Sequence, residues 1–178
     1  MIIDCHTHIG KFNGKEWTPE ELIASMDEAG IDFSFLFANL HSGGGISTAR
    51  MIEIAKQFPR LKVVGNITYA TLDDDQITKI TQYVENKDII AIKFYLGYEL
   101  FYPFDEKLFP VYEMCIANNL PVIFHTGILE GSFKGLMRYS HPLNIDELAN
   151  RFPDLKIVIA HMGNPWLMDC AAVVARHK

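Results

Sequence analysis

A strict alternation restricts this chain more than any other feature: an apolar strand and then an amphipathic helix, six times in 178 residues. Expected strands run from Ile2 to His8, Ile31 to Ala38, Leu61 to Ile67, Ile89 to Lys93, Pro121 to His125 and Leu155 to His161. They are near-continuous apolar runs, as expected where helices cover a parallel sheet on both sides or ring a barrel. The first helix has the clearest start. Thr18 is its N-cap, Pro19 suits the first helical position, Glu21 completes a capping box, and Gly30 ends it. Its apolar stripe is Leu22, Ile23, Met26 and Ala29. Further helices are expected from Ser47 to Phe58, from Asp73-Asp74-Asp75 onward, from Phe104 to Asn118, from Ile145 to Phe152 and from Pro165 to His177. His41-Ser42-Gly43-Gly44-Gly45 reads as a flexible loop, and Gly127 to Pro142 as a longer one.

A closed (β/α)8 barrel needs eight such units and typically about 250 residues. Six units leave two architectures: an open α/β sheet, or most of a barrel lacking its seventh and eighth strands. The histidines favour the barrel, because only a barrel gathers the ends of the first, fifth and sixth strands around one axis. Residues 1–178 are therefore expected to form a single domain of TIM (β/α)8 type, truncated after six β/α units.

About half of the residues are hydrophobic and the net charge is −6, an ordinary globular profile that argues against non-specific nucleic-acid binding. Neither a signal peptide nor a membrane-spanning run is visible. Cys5, Cys115 and Cys170 lie far apart without CxxC spacing, which fits reduced thiols and a cytoplasmic setting.

Ile3-Asp4-Cys5-His6-Thr7-His8 carries the chemistry of the first strand. Alternation along a strand sends Asp4, His6 and His8 to one face and Cys5 to the other. Two imidazoles on one face can grip one metal ion. The fifth and sixth strands each close on a histidine, His125 and His161, and a glycine follows two residues later. All four histidines lie at C-terminal strand ends, where barrels carry their functional residues. A catalytic zinc typically keeps three protein ligands and one open position. His6, His8 and His125 supply three, and His161 is either a fourth ligand or a general base beside the metal-bound water.

Lys93 ends the fourth strand. It is a snorkelling or structural lysine, a cation for an acidic substrate group, or a carbamylated bridge between two metals; the first two rank above the third. Asp4 either orients a ligand histidine or is a buried, hydrogen-bonded acid. Cys5 is expected to be a small core residue. His41 reads as a surface histidine in its loop. Arg138 and His141 lie in the long loop after the fifth strand, where Arg138 is either solvent-facing or a partner for a substrate carboxylate. Trp166 either lines the pocket or packs between helix and barrel.

Asp4-Cys5-His6-Thr7-His8, Ile92-Lys93-Phe94, Pro121 to Gly127 and Phe152 to Gly163 together resemble the amidohydrolase superfamily. The likeness is to its amidohydrolase-related branch, which is similar to the aminocarboxymuconate semialdehyde decarboxylase group, and it covers essentially the whole chain. It implies a (β/α)8 barrel with a divalent metal at its mouth, most often Zn2+, with Mn2+ as the alternative. It implies His6, His8 and His125 as ligands and His161 as a catalytic residue beside the metal. It also implies an aspartate at the end of an eighth strand, to which no residue here corresponds. A fragment of a longer protein is the favoured account of that difference, ahead of a partner chain that completes the barrel and of an inactive truncation.

The expected activity is metal-dependent hydrolysis of a C–N or C–O bond in a small molecule, with Lys93 and Arg138 as substrate-binding cations. Non-oxidative decarboxylation of a small carboxylated substrate is the rival enzymatic reading, and an inactive barrel fragment or binding module is the non-enzymatic one. No nucleic acid or membrane partner is expected, and a homo-oligomer is compatible with this reading.

Overall fold

A computed structural model of the chain describes residues 1–12, 14–38, 45–130 and 134–177. It divides into two compact units, residues 1–66 with 83–91, and residues 67–82 with 92–178.

In the first unit, β1 (Ile3–Thr7), β4 (Phe33–Phe37) and β5 (Leu61–Asn66) are parallel neighbours in that order. A short antiparallel pair, β2 (Gly10–Phe12) and β3 (Lys15–Trp17), follows β1 and was not anticipated. Helix α1 (Pro19–Ala29) shows the expected capping box. The Glu21 amide donates to the Thr18 hydroxyl at 3.2 Å, and the Thr18 amide donates to the Glu21 carboxylate at 2.9 Å. Gly30 closes the helix in the left-handed conformation, at φ 70°. Helix α2 (Thr48–Gln57) is capped by the Ser47 hydroxyl, which accepts from the Arg50 amide. Met26, Leu36, Met51 and Val64 are buried and form the core of this unit.

The register of β1 against β4 is irregular. Asp4 pairs with Ser34 and Thr7 with Leu36, so three steps along β1 answer two along β4. Alternation still holds from Ile3 to His6, which are in turn exposed, half-buried, exposed and half-buried. Cys5 shares the uncovered face of β1 with Ile3 and is exposed, not the small core residue expected.

Helix α3 (Asp74–Glu85) runs from the second unit into the first, and its Asp73 carboxylate accepts from the Gln76 amide at 2.8 Å. In the second unit, β6 (Ala91–Phe94), β7 (Val122–Phe124) and β8 (Ile157–Ile159) are parallel, with Phe94 beside Phe124 and Phe124 beside Ile159. Helix α4 (Phe109–Ala117) follows a 3-10 turn at Glu106–Leu108, where Pro110 had read as part of one longer helix. Helices α5 (Leu143–Arg151) and α6 (Leu167–Arg176) follow β7 and β8. The core stacks Phe94 on Phe124 at 5.6 Å between ring centroids, with the fully buried Tyr112 edge-on to both. Burial pushes the Cys115 thiol up to about 12, so it is an inert core group.

Six strands in sequence order, each followed by a helix, are six units of a (β/α) barrel. Every strand is shorter than its apolar run suggests. β8 ends at Ile159, so His161 belongs to the turn beyond it, and His125 likewise lies just past β7. Among the described residues, no helix is long and apolar enough to cross a membrane.

Candidate active site

In the first unit the side chains of His6 and His8 meet, with ring centroids 5.0 Å apart. His6 also packs against Phe37 at 4.2 Å. His8 Nδ1 lies 3.0 Å from the Phe37 carbonyl oxygen. A carbonyl can only accept, so Nδ1 carries the proton and the ring's lone pair sits on Nε2. Asp4 accepts from the His6 amide at 3.1 Å. It is hydrogen-bonded, as one expectation had it, but only half-buried.

In the second unit the ends of β7 and β8 bring His125 and His161 together, with ring centroids 4.8 Å apart. His125 is buried, and its Nε2 lies 3.1 Å from the Ile128 carbonyl oxygen. The same argument puts the proton on Nε2 and the lone pair on Nδ1. His161 sits in the left-handed region, at φ 60°, and Met162 follows it at φ 53°. Burial lowers the His161 pKa and the nearby charge of Lys93 lowers it further, against a smaller opposing effect of Glu130. The ring is therefore neutral at neutral pH.

Lys93 is only 1% exposed, which removes the snorkelling role. Burial holds its ammonium down to about 7, and its Nζ lies 5.3 Å from the centre of the Tyr95 ring. Arg138 lies on an exposed 3-10 turn, Met137–Tyr139, where it donates to the Tyr139 hydroxyl at 3.0 Å and covers that ring. His141 and Trp166 pack together at 4.4 Å. His41 lies outside the described residues.

Tyr98 was missed in the sequence. Its ring packs edge-on to His125 at 4.8 Å, and its hydroxyl accepts from the Glu130 amide at 2.8 Å. The available signal was position: Tyr95-Leu96-Gly97-Tyr98 directly follows a strand end, where barrel loops line the mouth. Glu130 was missed for the same reason.

Two imidazoles sharing one ion at metal–nitrogen distances of about 2.0–2.1 Å, at a near-tetrahedral angle, have centroids roughly 5 Å apart. Both histidine pairs meet that spacing. His8 and His125 each have one nitrogen fixed as a donor to a carbonyl, which is the usual way a ligand imidazole is oriented. The donor set fits a first-row divalent ion. Among the described residues, no three His, Cys, Asp or Glu side chains are gathered closely enough to hold one.

A likeness to solved structures supports the fold. An uncharacterised TIM-barrel protein from Bordetella bronchiseptica superposes with a TM-score of 0.80 at 24% identity, over 99% of this chain and 72% of that one. A probable 2-pyrone-4,6-dicarboxylic acid hydrolase from Acinetobacter baumannii gives 0.65 at 16% identity, over 97% and 66%. A 5-carboxyvanillate decarboxylase from Sphingomonas paucimobilis gives 0.68 at 15% identity, over 91% and 68%. No curated protein matches the chain. The family model described as amidohydrolase matches residues 3–178. Spanning nearly every residue and all four strand-end histidines, that match decides the matter: the chain belongs to the amidohydrolase family.

Proposed function

We propose that the chain is the larger part of a metal-dependent hydrolase acting on a C–N or C–O bond of a small molecule. His6, His8 and His125 are the ligands of a divalent ion, Zn2+ before Mn2+, and His161 is the catalytic base. When bound, such an ion lowers the pKa of a water toward neutrality and polarises a substrate oxygen. The chain's own residues do the rest. His161, neutral because burial and Lys93 depress its pKa, accepts a proton from the attacking water and returns it to the leaving group. Lys93 sits near the midpoint of its titration at neutral pH, so an arriving carboxylate draws it to the ammonium form and is held there. Arg138, exposed on its turn, binds a second acidic group. The observation that carries this reading is the ring contact of His125 with His161 at strand ends inside an amidohydrolase-family chain.

The burial of Lys93 beside His161 also favours a second reaction with the same residues. In non-oxidative decarboxylation, Lys93 and Arg138 hold the substrate's oxygens and His161 protonates carbon. One experiment tests both. The purified chain is loaded with Zn2+, assayed for stoichiometric metal, and offered lactones, amides and carboxylated aromatic acids. Bound metal lost in His6→Ala and His125→Ala supports the site. Water addition selects hydrolysis and release of carbon dioxide selects decarboxylation. A wild-type chain that takes up no metal, with both variants folding normally, overturns the reading in favour of a binding module.

A further inference from the structure

Two hydrogen-bonded contacts tie the loop after β7 to the turn after β8, immediately beyond the two histidines. Thr126 is fully buried, and its hydroxyl donates to the Ala160 carbonyl at 2.6 Å. Thr126 follows His125 in the chain and Ala160 precedes His161, so this bond joins the two histidines' nearest neighbours. The second contact is backbone to backbone. The Ile128 amide donates to the Asn164 carbonyl at 2.7 Å. Gly127 lies under that contact at φ 88°, and a Cβ there would run into the Asn164 oxygen and sit 2.9 Å from its nitrogen. Only glycine permits the approach.

The same loop is gripped from the other side by Ser140, itself fully buried. The Gly127 amide donates to the Ser140 carbonyl at 2.8 Å, and the Ser140 hydroxyl donates to the Gly127 carbonyl at 2.6 Å. The turn opposite, His161-Met162-Gly163, holds three successive residues at positive φ. A left-handed run is unfavourable for residues with a Cβ and persists only where its surroundings impose it. The ladder between β7 and β8 ends at Phe124 and Ile159. Strand pairing alone therefore does not set the imidazoles beyond it.

We propose that Thr126 is a positioning residue: through its hydroxyl, and with the glycine-tight contact at Gly127, it locks the two loops so that His125 and His161 stand ring to ring. The inference rests on the reading of these histidines as the working residues, but its measurement needs neither metal nor substrate. In the full chain labelled with 15N-histidine, Thr126→Val shifts the ring resonances of His125 and His161 and weakens the nuclear Overhauser contact between them. The His8 resonances stay in place, and Thr126→Ser restores the wild-type spectrum. Thr126→Ala deletes the same hydroxyl with a smaller side chain and reads the same effect should the valine variant not fold. A folded Thr126→Val or Thr126→Ala protein with the wild-type ring resonances and contact overturns the proposal. So does an equal shift at His8, which would mark a general structural change. A Zn2+ titration of the same samples keeps the two ideas apart. Wild-type protein that binds no Zn2+ defeats the proposed function, while the ring comparison still decides the role of Thr126.

Discussion

The two histidine pairs are built in opposite ways. His6 and His8 stand two residues apart at the end of β1, His8 just past it, and their separation is nearly a property of local backbone geometry. His125 and His161 are 36 positions apart (161 − 125) and meet because β7 pairs with β8 and a buried hydroxyl ties the loops beyond them. The first pair has one ring fixed through a carbonyl of the adjoining strand β4, at Phe37. The second has a buried cation nearby, an aromatic wall at Tyr98, and a backbone held at positive φ. A pair of adjacent imidazoles can thus come from local chain geometry, whereas an imidazole with a lowered pKa needs an environment that only packing creates.

The largest effect that can break this contrast comes from the ligands. His125→Ala should lower Zn2+ affinity by on the order of 100-fold or more, measured by competition with a chromophoric chelator. His8→Ala should do the same; an unchanged affinity in either would remove that pair from the site. His161→Ala should leave metal content near wild type and remove turnover, which separates a ligand from a base.

Next in size is Lys93. Its pKa is near 7 in the folded chain against an ordinary 10.5. Between those values the unfolded chain binds a proton that the folded chain does not, so wild-type stability rises with pH through that window. Lys93→Met should therefore stabilise the chain by on the order of several kcal/mol below about pH 7. The gain should fade as pH approaches 10.5. Urea melts at pH 6, 8 and 10 would show it, and a gain independent of pH would contradict a depressed lysine.

Smaller effects sharpen the contrast between the regions. Thr18→Ala removes the capping box at the start of α1, and should cost about 1 kcal/mol by thermal melting with Zn2+ affinity unchanged. Met162→Gly relieves one left-handed residue and should stabilise by up to about 1 kcal/mol while keeping the His125–His161 ring contact. Loss of that contact would show that methionine, and not the loops, holds the turn.

The helix starts were legible because capping is local chemistry. Thr18 and Glu21, Ser47, and the aspartates at 73 to 75 satisfy amides within three residues of themselves. The six-unit order was legible for a similar reason: continuous apolar runs bounded by glycine and proline leave little choice but buried parallel strands. The fate of Cys5 was not legible, because whether a strand face is covered depends on what packs against it. Nor was the break before α4, where a 3-10 turn takes up Glu106–Leu108. Tyr98 and Glu130 carry no motif; they matter only through what stands opposite them.

Periodicity and punctuation were enough to establish an alternating α/β chain with four histidines at three strand ends, since those depend on neighbours in the chain. Folding had to supply the rest. The depressed lysine, the neutral His161, the donor tautomer of His8 and the Thr126 lock all arise between residues distant in sequence. Burial and hydrogen bonding between such residues have no local signature, and they are what set the charge and tautomer of an imidazole at a strand end.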